Sequence, residues 1–168
     1  MRSIFTISLA LAASFSVLPS MAATPKLKSV QAFELCMQEY SNETCFSGLE
    51  DFLKKQPSKN FEIGQLVARN SHASKALPFF ARAIGKNTGA ALCSDSSVQS
   101  ALDSGLSLPS DEANAKVARQ LFENACYAST LDAVSKALNS GEANRYLKEN
   151  TCPILLRKGA EVPSCAAN

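Results

Sequence analysis

The residues in this sequence with the widest choice of chemistry are its six cysteines, namely Cys36, Cys45, Cys93, Cys126, Cys152 and Cys165. Cysteine thiols can bind zinc, exchange electrons or form structural disulfides. Zinc sites and redox pairs typically use closely spaced cysteines, but the sequence contains no C-x-x-C pair and only one histidine, His72. We therefore expect no metal site and no redox-active pair, and we interpret the cysteines as structural disulfides.

The turn signals between the cysteines favour one disulfide pairing. Six cysteines allow 15 connectivities, which counting alone does not resolve. Each sequential pair lies on either side of a turn, at Ser41-Asn42, Pro109-Ser110 or Gly159. Residues equidistant from the turn of a hairpin face each other, so sequential pairing places one bridge across each hairpin. We predict the pairs 36–45, 93–126 and 152–165, each worth about 2–4 kcal/mol, mainly by restricting the unfolded chain.

Other catalytic arrangements find little support in the sequence. His72 lies between Ser71 and Ser74, but a catalytic histidine also needs an orienting acid and a nucleophile in the right geometry. The chain has no G-x-S-x-G, H-E-x-x-H or glycine-rich phosphate loop. The acidic pairs Glu50-Asp51 and Asp111-Glu112 are interpreted as helix-end and surface charges. We expect a protein that is not an enzyme and that has no cofactor.

The first residues have the pattern of a secretory signal peptide. Arg2 precedes an apolar run over residues 4–18, and the small residues of Ser20-Met21-Ala22 follow. A membrane anchor needs about 20 apolar residues, and this run is shorter and interrupted by serines. We predict cleavage after Ala22, or alternatively after Ala23, and export to the periplasm or the medium. The short leader is typical of a bacterial protein.

The predicted mature chain, residues 23–168, is long enough for one compact domain. Without Arg2 it carries 16 basic and 15 acidic residues, and no block of five or more charges of one sign occurs. Such interspersed charge is typical of a solvated surface. We therefore expect no nucleic-acid partner and no stable membrane insertion.

Apolar spacing and capping residues predict an all-α fold. No run of alternating β-branched residues appears, and apolar residues recur at helical intervals. We predict antiparallel helical hairpins, arranged as a bundle or a short α-solenoid and cross-linked by the disulfides. Eight helices are predicted, over about 27–40, 42–56, 59–70, 75–86, 96–105, 113–129, 130–141 and 142–150, followed by an irregular or short helical tail.

One hairpin, over about residues 57–90, resembles a tetratricopeptide-type repeat. With Ser74 as the cap, Pro78 falls in the first turn of the second helix, where proline is tolerated. Gly64 stands at the small-residue position of the first helix, and the second helix carries the A-x3-F-x2-A series of Ala76, Phe80 and Ala83. The resemblance implies close approach of the two helices, with the phenylalanine filling the space between them. An ordinary helical bundle is the alternative interpretation.

The bridged hairpins are also similar to disulfide-bridged helical-repeat proteins secreted by bacteria.

Two hypotheses for the function follow from these features. The first is an exported helical binding or adaptor protein for a protein or peptide partner, and the repeat resemblance implies contacts at Gln65, Arg69 and Asn70. The second is a secreted inhibitor of a hydrolase or a host-directed effector, which would insert Leu106 and Leu108 of the 103–111 turn into a partner.

The disulfide interpretation predicts that the exported protein has no free thiol. Peptide mapping by mass spectrometry under non-reducing conditions should recover the six cysteines in bridged peptides only. Two or more cysteines alkylated without reduction would contradict the interpretation. Metal binding or redox activity would then again have to be considered for the cysteines.

Overall fold

The computed structural model describes residues 26–40, 42–85, 89–141 and 143–166. The predicted signal peptide, residues 1–22, and the cleavage positions lie outside these ranges. The described residues form an all-α fold without strands, as predicted. The ten helices in these ranges are α1 (Val30–Glu39), α2 (Asn42–Lys55), α3 (Asn60–Asn70), α4 (Leu77–Ile84), α5 (Gly89–Cys93), α6 (Ser96–Leu106), α7 (Ala113–Leu121), α8 (Tyr127–Asn139), α9 (Arg145–Arg157) and α10 (Pro163–Ala166).

Side-chain caps fix the start of three helices. The Ser29 hydroxyl, the Asp95 carboxylate and the Asn144 amide oxygen each accept a backbone N–H two or three residues later, and all three cap residues have extended backbones. These bonds satisfy N–H groups that have no partner within the helix. The starts of α1, α6 and α9 are therefore set by local sequence.

The three predicted disulfides are confirmed. Cys36–Cys45 joins α1 to α2, Cys93–Cys126 joins α5 to the segment after α7, and Cys152–Cys165 joins α9 to α10. No cysteine is free. The geometric reason for the second bridge was wrong, however. Cys93 belongs to α5, a separate short helix that the sequence did not predict, so the bridge does not span the hairpin formed by α6 and α7.

Helices α3 and α4 form a closely packed hairpin. Phe80 is fully buried, and a Cβ atom at Gly64 would lie 2.6 Å from its Cε1 and 2.7 Å from its Cδ1. The ring of Phe61 also contacts that of Phe80, with centroids 5.7 Å apart. The close approach implied at Gly64 and Phe80 is therefore present. Of the two alanines in the series, Ala76 is fully buried and Ala83 half-buried.

A second close approach positions α6. A Cβ atom at Gly105 would lie 2.8 Å from Ala118 Cβ on α7 and would overlap Leu77 on α4. Helix α6 also packs against α3 and α9, while α1 packs against α2 and α3. The helical pairs thus pack against one another in the order of the chain, from the α1–α2 pair to α9.

The entry to α4 differs in detail from the prediction. Pro78 lies in the first turn of α4, as predicted. Ser74 is not the helix cap, because a 3₁₀ turn over Ala73–Ala76 precedes the helix and Ser74 is buried within it. Because the 3₁₀ turn ends at Ala76, Pro78 falls in the first turn of α4, where a proline is tolerated.

The boundary predicted at Thr130 is wrong. A π-helical segment, Phe122–Cys126, connects α7 to α8 without a break. Thr130 lies inside α8, buried, and its hydroxyl donates to the carbonyl of Cys126 at 2.7 Å. A threonine hydroxyl can cap a helix or bond to the preceding turn, so its presence alone does not mark a helix start.

The end predicted for the eighth helix is also wrong. The sequence predicts a helix over 142–150, but α9 begins after Asn144 and continues to Arg157 with Pro153 inside it. Proline removes one helical hydrogen bond and normally favours a break. Here Pro153 is exposed, while its neighbours in the helix Asn150, Thr151 and Ile154 are buried. Tertiary packing therefore overrides the local signal.

The α3–α4 contact generates a stability prediction. Gly64→Ala should lower the free energy of unfolding by about 1–3 kcal/mol, because the added methyl overpacks a filled interface. Gly64→Leu should cost at least as much. Without the clash, replacing a helical glycine would stabilise the protein by about 1 kcal/mol. Urea titration monitored by circular dichroism measures the difference.

The matched background is Phe80→Leu, which removes Cε1 and Cζ, two of the three ring atoms that a Cβ atom at Gly64 would meet. Truncation to Phe80→Ala should cost about 3–5 kcal/mol. If the clash with the ring is responsible, Gly64→Ala should cost less in the Phe80→Leu background than in the wild type. A higher melting temperature for Gly64→Leu in the wild type would refute the close packing.

Candidate functional site

Two of the predicted contact residues lie in a shared polar groove. The groove has a volume of about 360 Å³ and lies between α3 and the start of α6. We call it the α3–α6 groove. Its lining residues are Gln65, Ala68, Arg69, Asp95, Ser96, Ser97 and Ser100.

The cap of α6 forms one wall of this groove. Asp95 Oδ1 accepts from the backbone N–H of Ser97 at 2.9 Å and also from the Ser97 hydroxyl, and Oδ2 accepts from Gln65 Nε2 at 3.2 Å. The hydrogen bond from the Ser97 side chain, with further ones from the backbone and from Gln65, lowers the pKa of the Asp95 carboxyl below its ordinary value of 3.8. The carboxylate is thus held in the ionised form and ties α3 to α6.

The other wall carries an available cation. Arg69 is exposed and makes no hydrogen bond or ion pair with any residue that the structure describes. A guanidinium presents five N–H donors, and the exposed hydroxyls of Ser96 and Ser100 add two more. The groove therefore offers an array of donors that suits backbone carbonyls or a carboxylate.

Asn70 does not belong to the groove. Its side chain is exposed, and its Nδ2 donates to the carbonyl of Leu66 at 2.9 Å, within its own helix. The structure therefore brings together Gln65 and Arg69, whereas Asn70 is not among the residues that line the groove.

The 103–111 turn is held against α9. Leu106 is 1% exposed, and Leu108 is half-buried. Asn150 is also buried, and its Nδ2 donates to the carbonyls of both leucines at 2.8 and 2.9 Å. Its Oδ1 accepts from Arg119 at 2.8 Å. Insertion of Leu106 into a partner would require this packing to open, so the structure gives no support to the inhibitor hypothesis.

Three further observations on the described residues concern metal binding, His72 and membrane crossing. Within it, no group of three or more His, Cys, Asp or Glu side chains is placed to bind a metal ion. His72 is exposed at the start of the 3₁₀ turn before α4. None of the described helices combines the length and the apolar composition that crossing a bilayer requires.

The start of α6 at the groove could be predicted from the sequence, but the contact between α6 and α3 could not. Asp95 and Ser96 indicate the start of a helix, which the structure confirms, but not a site. Gln65 and Asp95 are separated by 30 positions in the chain, and no local signal indicates that their side chains meet. A polar residue on the inner half of an amphipathic helix, such as Gln65, is the one hint of a buried polar partner.

The Asp95 contacts predict a pH-dependent stability. Asp95→Ala should lower the free energy of unfolding by about 0.5–2 kcal/mol, because the cap of α6 is lost. Asp95→Asn keeps a capping oxygen but removes the charge. The folded-state pKa of Asp95 is lowered, so its stabilisation is present above the ordinary value of 3.8 and is lost as the pH falls through the folded value.

The stability advantage of the wild type over Asp95→Asn should therefore shrink in urea titrations as the pH falls below about 4. Asp132→Asn, at an exposed position in α8, controls for the loss of one negative charge. An advantage that grows as the pH falls would contradict the assignment.

No protein-family model, curated protein or solved structure matches this chain.

Proposed function

We propose that this protein is an exported helical binding or adaptor protein of the bacterial periplasm, which recognises a protein or peptide partner through the α3–α6 groove. The observation that carries the proposal is the Arg69 guanidinium, which has no partner among the described residues and lies beside Gln65, the fixed Asp95 carboxylate and exposed serine hydroxyls.

The three disulfides support the exported location. Disulfides persist in oxidising compartments such as the periplasm and are rare in the cytosol. All six cysteines are paired. The predicted signal peptide points in the same direction, although its residues lie outside the described ranges.

The composition of the groove supports a peptide-like ligand. Every residue of a peptide except proline offers a carbonyl acceptor and an N–H donor. Arg69, Ser96 and Ser100 can donate to the carbonyls. Ala68 adds a small apolar surface between them. The hydrogen bond between Gln65 and Asp95 joins α3 to α6, so the helices that form the groove need little rearrangement when a partner binds.

Site-specific photocrosslinking tests this proposal in living cells. The crosslinking residue p-benzoylphenylalanine is placed at Ser100, on the groove, in the protein expressed in a bacterial periplasm. We expect one predominant crosslinked protein, identified by mass spectrometry. Arg69→Ala should reduce its yield about tenfold, the loss expected for an arginine that contributes about 1–2 kcal/mol to the interface.

The matched control carries the crosslinking residue at Lys136, an exposed position of α8 that does not line the groove. Equal crosslinking from Ser100 and Lys136, or a yield unchanged by Arg69→Ala, would reject the groove as the binding surface.

A further inference from the structure

A second and separate cleft lies between α2 and α4. It has a volume of about 530 Å³, within the range of ligand sites, and shares no lining residue with the α3–α6 groove. We call it the α2–α4 cleft. Its lining residues are Glu50, Leu53, Lys54, Pro57, Asn60, Ala81, Arg82 and Gly85.

The cleft contains a buried acceptor without a partner. Asn60 is only 4% exposed, and its Nδ2 donates to the carbonyl of Pro57 at 2.7 Å. Its Oδ1 is buried and accepts no hydrogen bond from any residue in the described ranges. Exchanging the two amide atoms would point the oxygen at the Pro57 carbonyl, so the orientation is fixed by that bond. A buried acceptor without a donor is unfavourable, and a ligand N–H group that reaches it as the lining side chains move apart would satisfy it.

The charges around Asn60 favour an acidic ligand. Arg82 is exposed and has no ionic or hydrogen-bonding partner among the described residues. Lys54 pairs with Asp51 at 3.4 Å, but both side chains are more than two-thirds exposed, so this pair is weak and exchangeable. Glu50 is the one acid that lines the cleft. Lys54 therefore has an acidic neighbour in Asp51, whereas Arg82 offers a positive charge that no described acid neutralises.

From these observations we propose that the α2–α4 cleft binds an acidic peptide segment. A backbone N–H of the peptide donates to Asn60 Oδ1, and a neighbouring Asp or Glu carboxylate pairs with Arg82 and Lys54. The apolar surfaces of Leu53 and Ala81 receive the aliphatic part of that side chain. A metal ion would be repelled by the two cations, and an inorganic anion without a donor would leave Asn60 unsatisfied. The site is independent of the α3–α6 groove.

Peptide display tests this assignment, because the selection requires no identified partner. A library of random 12-residue peptides is selected on the full mature protein, and the enriched peptides are synthesised. We expect acidic peptides whose Kd, measured by isothermal titration calorimetry, rises at least tenfold in Arg82→Gln. Lys136→Gln is the matched control, because it removes one positive charge from an exposed position of α8 that lines neither surface. It should change the Kd less than twofold.

The hydrogen bond to Asn60 needs a separate measurement. N-methylation of the peptide backbone, one position at a time, should identify one N–H whose loss raises the Kd at least tenfold in the wild type. In Asn60→Ala the same methylation should have no further effect. A thermal melt of Asn60→Ala checks that the variant is folded. Should it not fold, Asn60→Ser, which keeps a hydroxyl, replaces it in the cycle.

The outcomes separate this site from the proposed function. Enriched peptides that are neutral or basic would overturn the inference, as would an affinity insensitive to Arg82. Peptides that lose affinity in Arg69→Gln but not in Arg82→Gln would overturn it while supporting the α3–α6 groove. Selection of no peptide at all would also overturn it, whereas the crosslinking from Ser100 would still decide the proposed function.

Discussion

The contact between Gly64 and the ring of Phe80 is the constraint on which the arrangement of this molecule depends. It brings α3 and α4 closer than any side chain larger than hydrogen at position 64 would allow. Both candidate surfaces depend on α3, which contributes Arg69 to the α3–α6 groove and Asn60 to the α2–α4 cleft. A change in the distance between α3 and α4 would therefore displace the walls of both surfaces.

Two of the disulfides hold in place helices that are too short to be stable on their own. Two of the bridged elements are very short, with five residues in α5 and four in α10. Isolated helices of that length are unstable in water, because nucleation costs more than a few hydrogen bonds return. A covalent link to a longer neighbour holds each of them in place. The packing around Phe80 and the disulfide bridges thus stabilise different helices of one fold.

The all-α fold, the cap at Asp95 and the bridges Cys36–Cys45 and Cys152–Cys165 could be predicted because each depends on residue type and local spacing. The prediction failed at Thr130 and Pro153, where local signals for a helix boundary are overridden by burial. The wall of the groove formed by Asp95 and Gln65 could not be predicted either. Their contact depends on the relative placement of α3 and α6, which no local pattern in the sequence specifies.

The side-chain amide of Asn150 limits the local opening of the 103–111 turn. Its bonds to the carbonyls of Leu106 and Leu108 hold the 103–111 turn against α9, and Arg119 orients the amide from the other side. A protease must draw a segment into an extended conformation before cleaving it, and exposed turns are where this usually happens. Here extension would leave the buried Asn150 without two acceptors. One asparagine thus raises the free energy of local opening and protects this turn from proteolytic degradation.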